Sequence, residues 1–147
     1  MEALDRDDHT VEIMPGIPET LLELHKEGYL LGIITDTTLP VHMKLKFFED
    51  AGFGHIWDTI ISSREMGVRK PAPLMYEQAL QQVGVPASQA IFVGHKKSEL
   101  DGAKTMGMTT VAFNYEADAD ADYYLDQIGE LLNLPILIRE KTLNTGA

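Results

Sequence analysis

The sequence predicts an α/β fold of three layers, in which a mostly parallel, doubly wound sheet lies between helices. Short apolar runs alternate along the chain with segments whose apolar residues recur every three or four positions. The runs are apolar throughout, which is typical of strands that helices cover on both faces. Strands that alternate with helices in this way favour a parallel sheet in one domain.

Five strands are predicted from the apolar runs. The clearest run is YLLGIIT, from Tyr29 to Thr35, which has no charged residue and ends on a threonine. The predicted strands are residues 29–35, 59–62, 90–94 and 109–113, with a last, peripheral strand over residues 135–139.

Five helices are predicted from apolar stripes and from the residues that flank them. Pro18, Pro40 and Pro73 suit the first turn of a helix, where no N–H is needed. Glycines that follow the last apolar residue of a stripe are typical helix ends. The predicted helices are residues 18–28, 40–52, 73–84 and 98–106, and a fifth that is marked by Tyr124, Ile128 and Leu131. Residues 63–72 are predicted to form a polar loop.

Composition narrows the class of protein. We expect an acidic leader over residues 1–10, one core domain over residues 11–134 and a strand and tail over residues 135–147.

Twelve basic against 23 acidic residues give a net charge of −11, which disfavours nucleic-acid and membrane partners. Without cysteine the chain has no disulfide, thiolate metal site or cysteine nucleophile. The acidic first residues differ from a signal peptide, so we expect a cytoplasmic protein.

Residues 90–106, AIFVGHKKSELDGAKTM, combine a strand, a polar loop and a helix start. The strand is predicted to end at Gly94. Ser98 and Asp101 have the spacing of a capping box, which predicts that the next helix begins near Ser98. The loop between them, His95-Lys96-Lys97, follows the carboxyl end of a strand, where open α/β sheets bind ligands.

Three blocks of sequence follow one another along the chain. They are EIMPGIPETLLELHKEGYLLGIITD, VRKPAPLMYEQALQQVGV and AIFVGHKKSELDGAKTMGMTTVAF. In this order and spacing they resemble the core domain of the haloacid dehalogenase (HAD) superfamily, which consists mainly of phosphatases. The resemblance covers residues 11–134 and implies a Rossmann-like core sheet, here without the family's usual first strand and without its cap.

The family builds its site from four motifs, and two of them are matched. Thr35 matches the threonine or serine that binds the transferred phosphoryl group at the end of an apolar strand. Lys70, before Pro71, matches the lysine that stabilises phosphoryl charge. A hydroxyl and an ammonium at strand ends are suitable donors to an anion. Asp36 follows the motif-two threonine, and we expect it to cap the loop.

The fourth motif departs from the family's pattern. The family places an aspartate that helps to bind Mg²⁺ after the glycine, whereas His95 follows Gly94 here. The second acidic position of that motif falls on Glu99. One carboxylate would bind Mg²⁺ weakly, because the ion prefers several oxygens in an octahedron. We therefore expect no cofactor, with Mg²⁺ bound only if another segment supplies the missing carboxylates.

The first motif, Asp-x-Asp-x-Thr at the end of an apolar strand, supplies the family's nucleophile and general acid/base. Residues 5–10, DRDDHT, are similar to it, but the threonine is one place too far and only MEAL precedes them. A nucleophile needs a rigid strand to hold its geometry. We therefore expect that the motif and its strand are absent.

In the family, that strand lies between the strands of the second and fourth motifs, so its absence leaves two inner edges. Proteins cover such edges. Four arrangements would do so here: the 135–139 segment, a neighbouring subunit or a second polypeptide fills the place, or the two flanking strands close up.

We accordingly expect a pseudoenzyme that is inactive alone and that binds phosphate, a phosphorylated ligand or a protein partner. The alternative is a HAD-type phosphoric-ester hydrolase whose nucleophile comes from a missing segment, from a partner chain, or from Asp36 or Asp101. The candidate anion-binding residues are Thr35, Asp36, Thr37, Lys70, His95 and Lys96, with Lys97 beside them. In the competing interpretation, Lys96 and Lys97 belong to a solvated loop.

Overall fold

The computed structural model describes residues 4–5, 11–12, 15–37 and 39–136. The strands are β1 (Leu4–Asp5), β2 (Val11–Glu12), β3 (Gly32–Thr35), β4 (Thr59–Ser62), β5 (Ile91–Gly94), β6 (Thr109–Phe113) and β7 (Tyr123–Leu125). The α-helices are α1 (Ile17–Lys26), α2 (Val41–Asp50), α3 (Ser63–Met66), α4 (Pro73–Val83) and α5 (Lys97–Thr105). Three 3₁₀ helices cover Gly54–Ile56, Ala87–Gln89 and Ile128–Asn133.

The α/β prediction is confirmed, and the main strand pairs are parallel. β3 pairs with β4 from Gly32–Thr59 to Thr35–Ser62. β6 lies between β5 and β7 and is parallel to both. β1 and β2 form a separate antiparallel pair. The three layers follow from this arrangement, since helices pack on both faces of the parallel strands.

Proline and glycine define helix ends as the sequence predicts. Pro18 and Pro73 occupy the first turn of α1 and α4. Gly84 ends α4 with a φ of 76°, a left-handed conformation that glycine adopts without steric cost.

Two apolar cores lie on opposite faces of the sheet. Ile33 of β3 and Val93 of β5 belong to the core that α1 covers. Their neighbours Ile34 and Phe92 belong to the core that contains the buried residues of α4 and α5. Because successive side chains of a strand point to opposite faces, this pattern places β3 and β5 in the same layer.

β3 and β5 do not pair with each other within the described residues, so the parallel strands form two separate sheets. A cavity of about 560 Å³ is lined by both strands. The prediction that these strands close up is therefore wrong. Of the 135–139 segment, residues 135 and 136 are helical rather than extended, and the rest lies outside the described residues. Most of the 5–10 segment, including its second aspartate, lies outside them too.

The predicted helix over residues 124–131 is wrong. Tyr123–Leu125 is a strand, and only a 3₁₀ helix follows. Asp122 explains the difference, because its Oδ2 accepts the N–H of Thr110 at 2.8 Å and the hydroxyl of Thr110 at 3.1 Å. These bonds attach the segment to the edge of β6, where it continues the sheet.

Two further predictions need correction. α5 begins at Lys97, so Ser98 lies inside the helix, and the side chain of the N-cap residue, Lys96, makes no capping bond. The polar loop over residues 63–72 contains the short helix α3, whose first turn is capped by Ser62 through a bond from the N–H of Arg64. Across the part of the chain with described structure, no helix is long and apolar enough to cross a membrane.

Candidate functional site

The candidate site lies where β3 and β5 end. Thr35 is the last residue of β3 and is 1% exposed, and Gly94 is the last residue of β5 and is also buried. The loops that follow these strands, together with the loop before α4, carry most of the residues that the sequence singled out. The fold therefore brings the second, third and fourth motif positions to one edge of the sheet.

Asp36 connects the end of β3 to the motif-three loop. Its Oδ1 accepts the backbone N–H of Lys70 at 3.0 Å. This bond fixes the backbone of Lys70 relative to Thr35.

Lys70 and Glu99 form a buried ion pair across the two sheets. Lys70 Nζ lies 3.3 Å from Glu99 Oε1, and the side chains are only 1% and 6% exposed. Glu99 Oε2 is also buried and has no hydrogen-bond partner among the described residues. A buried acceptor without a donor costs about 1–3 kcal/mol. The pair is therefore held together by charge, and the second carboxylate oxygen of Glu99 lacks a donor among the described residues.

Close packing around Gly102 sets the position of Glu99. A Cβ on Gly102 would lie 2.8 Å from Pro71 Cβ and 2.9 Å from the hydroxyl oxygen of Tyr76. The Tyr76 hydroxyl, fully buried, donates to the carbonyl oxygen of Glu99 at 2.7 Å. Glycine thus lets α5 approach α4 and the Lys70 loop closely. No local pattern in the sequence predicts the roles of Gly102 and Tyr76, since both depend on contacts between distant segments.

The loop after β5 is held by a residue that the sequence did not identify. Glu116 donates its N–H to the carbonyl of His95 at 2.9 Å, and its Oε1 accepts the N–H of Lys97 at 3.2 Å. This carboxylate, from the segment after β6, takes the place of the predicted cap. His95 is half-buried and Lys96 is exposed.

Lys97 is engaged by a carboxylate of its own helix. Its Nζ lies 2.9 Å from Asp101 Oδ2, one turn along α5. The hydrogen bond and the charge of Asp101 raise the pKa of Lys97 above its usual value. Asp101 is thereby used in a surface pair, and less of the Lys97 charge is available to an anion at the strand ends.

Thr37 is buried, and the loop uses its polar atoms. Its N–H donates to Ser63 Oγ at 2.8 Å, and the Ser63 hydroxyl donates to its carbonyl at 3.2 Å. Thr37 Oγ1 accepts the N–H of Leu39 at 3.0 Å. Its role is therefore to shape the loop after β3.

The described residues do not fit a Mg²⁺ site. No three His, Asp or Glu side chains among them are close enough to share a metal ion. Glu99 is the carboxylate that the sequence offered for this ion, and one of its oxygens faces the ammonium of Lys70. Mg²⁺ needs more oxygen ligands than this single group provides.

Comparison with known proteins agrees with the fold. Residues 2–113 match the family model of haloacid dehalogenase-like hydrolases. A glyceraldehyde 3-phosphate phosphatase of Pyrococcus furiosus is 39% identical, over 82% of this chain and 53% of that protein. A ribulose-1,5-bisphosphate 5-phosphatase of Halopiger xanaduensis is 30% identical, over 84% of this chain and 57% of that protein. A phosphoglycolate phosphatase of Pseudomonas savastanoi is 32% identical, over 78% of this chain and 42% of that protein.

Solved structures are similar as well. A HAD phosphatase from Thermococcus onnurineus superposes with a TM-score of 0.72 at 31% identity, over 84% of this chain and 58% of that one. A 2-haloacid dehalogenase from Pseudomonas syringae superposes with a TM-score of 0.70 at 26% identity, over 90% of this chain and 56% of that one. The chain spans about half the length of the curated relatives that it matches. With a family model that covers most of its length and a Rossmann-like core at its centre, the chain belongs to the haloacid dehalogenase-like hydrolases.

Proposed function

We propose that this chain is a HAD-like domain of the phosphatase superfamily that binds a phosphate group at the ends of β3 and β5 but does not hydrolyse it alone. One observation carries the proposal: Lys70 and Glu99 form a buried pair, and Glu99 Oε2 finds no hydrogen-bond partner in the part of the chain that the structure describes. The relatives that act on phosphorylated small molecules support the ligand class.

The pair offers complementary groups to a protonated phosphate. Lys70 can donate a charge-assisted hydrogen bond to a phosphoryl oxygen. Glu99 Oε2 can accept a hydrogen bond from the P–OH group of the same ligand. A phosphate monoanion therefore satisfies both groups, whereas a chloride ion cannot donate to Glu99. The other candidate residues, Thr35, Asp36, Thr37, His95 and Lys96, lie at or just after the ends of β3 and β5.

The same contacts argue against hydrolysis by the isolated chain. The family route needs a carboxylate that is free to attack phosphorus and further oxygens for Mg²⁺. Asp36 holds the Lys70 loop, and Asp101 holds Lys97. Neither is placed as an activated nucleophile, so the described residues offer binding without an attacking group.

Phosphate binding can be measured by calorimetry with inorganic phosphate, phosphoglycolate and glyceraldehyde 3-phosphate, with and without Mg²⁺. We expect metal-independent binding that Lys70→Ala and Glu99→Gln each weaken by about tenfold, the equivalent of one hydrogen bond to a charged group. Lys104→Ala is the matched control, because Lys104 pairs with Asp120 at 3.3 Å on the surface. Equal affinity in all three variants would contradict the proposal.

A second candidate is a HAD-type phosphoric-ester hydrolase whose nucleophile comes from another segment or a partner chain. The observation that favours it is the length of the phosphatase relatives, of which this chain spans about half. Turnover of p-nitrophenyl phosphate with Mg²⁺ distinguishes the two. We expect none from the isolated chain, and turnover that appears when a chain carrying Asp-x-Asp-x-Thr is added would establish the hydrolase.

A further inference from the structure

We propose that His25 and His55 form a binding site for a divalent transition-metal ion, Zn²⁺ or Cu²⁺, which their two imidazole rings hold between them. The two rings are in contact at the surface of the protein, at the edge of the sheet opposite the carboxyl ends of β3 and β5. The proposal does not depend on phosphate binding at those strand ends.

The two histidines belong to segments that lead into neighbouring strands. His25 lies in the last turn of α1, which precedes β3, and His55 lies in the 3₁₀ helix Gly54–Ile56, which precedes β4. Because β3 and β4 are paired and parallel, the segments that precede them meet at the same edge of the sheet. The ends of β3 and β5 lie at the other edge. An ion between the histidines is therefore distinct from the Mg²⁺ of the fourth motif.

The two imidazole rings lie near the separation that a shared metal ion requires. Their centroids are 5.8 Å apart, and their planes meet at 86°. With metal–nitrogen bonds of about 2.0–2.1 Å, two imidazoles on one tetrahedral ion have centroids about 5.2 Å apart, so the rings need to approach by only about 0.6 Å. Both side chains are exposed, and rotation about their side-chain bonds can supply this movement. Perpendicular planes do not oppose chelation, because each ring can turn about its bond to the metal.

The backbone beside each histidine is fixed by the apolar core. Leu24 precedes His25 and is buried, and the buried residues Phe53 and Ile56 lie on either side of His55. All three apolar residues belong to the same core cluster. The two ligands are therefore held at a constant distance by packing, and ion binding has to order only their side chains.

Two hydrogen bonds join the same segments a few residues further along. Asp58 donates its N–H to the carbonyl of Leu31 at 2.8 Å, and its Oδ2 accepts the N–H of Leu31 at 2.8 Å. These bonds connect the segment after α1 directly to the segment after the 3₁₀ helix. The histidine pair is thus supported by the core on one side and by a backbone clamp on the other.

The donor atoms select the class of ion. Imidazole nitrogen suits Zn²⁺ and Cu²⁺, whereas Mg²⁺ and Ca²⁺ prefer oxygen ligands. No third His, Asp or Glu in the described ranges completes a cluster with this pair, so water fills the remaining coordination positions. The net charge of −11 attracts cations, and Glu49 and Asp50 are exposed at the end of α2, shortly before His55.

Calorimetric titration of the whole chain with Zn²⁺ tests the site. We expect His25→Ala and His55→Ala each to weaken binding by about tenfold or more, because a single imidazole cannot chelate the ion. The double variant should bind no more weakly than either single variant, since the loss of one ring already breaks the chelate. His42→Ala is the matched control, because His42 is likewise exposed on the surface but is not part of this pair. Circular dichroism verifies that the variants fold.

Two further measurements distinguish a shared ion from separate surface ligands. In NMR titrations, Zn²⁺ should shift the ring signals of His25 and His55 with one common midpoint, and Mg²⁺ should shift neither. At about 100 times its dissociation constant, Zn²⁺ should raise the folding equilibrium constant about 100-fold in urea unfolding. We expect His25→Ala and His55→Ala to lose this stabilisation and His42→Ala to keep it.

Three outcomes would contradict the proposal. Equal Zn²⁺ affinity in the parent chain and in both single variants would place the ion elsewhere. Ring signals with two different midpoints would show that His25 and His55 are independent surface ligands. A double variant that binds much more weakly than both single variants would show the same, because separate sites lose affinity one after the other.

Discussion

Replacing Glu99 by leucine should destabilise the protein strongly, because it leaves the ammonium of Lys70 buried without the carboxylate that now lies 3.3 Å away. Both side chains are more than nine-tenths buried, so the ammonium would be poorly solvated without the carboxylate. Breaking such a pair by removing one partner costs about 3–5 kcal/mol. In a domain whose total stability is about 5–15 kcal/mol, this is a large fraction.

The double variant Glu99→Leu with Lys70→Met separates the charge effect from packing. Replacing a buried pair by apolar residues of similar volume is often neutral or stabilising by about 1–4 kcal/mol. The double variant should therefore be clearly more stable than Glu99→Leu alone. Phosphate affinity should nevertheless be lost in both, because the binding groups are gone.

Urea unfolding followed by circular dichroism measures these differences. Asp120→Asn serves as the control, because it removes the exposed partner of Lys104 and should change stability by less than about 1 kcal/mol. A Glu99→Leu variant as stable as the parent, or a double variant less stable than either single variant, would refute the reasoning about this pair.

Three further predictions follow from contacts around the site. Gly102→Ala should cost about 1–3 kcal/mol by overpacking, measured by urea unfolding, whereas Gly129→Ala, with nothing within 4 Å of its Cβ, should not. Tyr76→Phe should cost about 0.5–1.5 kcal/mol in the same assay, since it removes one buried hydrogen bond. Asp101→Asn should lower the pKa of Lys97 in an NMR titration. Because folding raises that pKa, the pair stabilises the fold below pH 10.5, and this contribution is lost as the pH rises through the folded-state value.

The parts of the fold that depend on local sequence were predictable. Continuous apolar runs identified β3 to β6, because a strand covered on both faces needs apolar residues at every position. Pro73 and Gly84 marked the two ends of α4, because their backbone preferences act within a residue or two. The resemblance then placed Thr35, Lys70 and Glu99 at one edge of the sheet.

The errors occurred where a distant segment decides the local structure. The serine at position 98 had the right spacing for a cap, but Glu116 accepts the N–H at the start of α5 instead. The Tyr124 segment had a helical apolar stripe, but the bonds between Asp122 and Thr110 attach it to β6. Neither partner is close in the sequence, so local patterns carried no information about them.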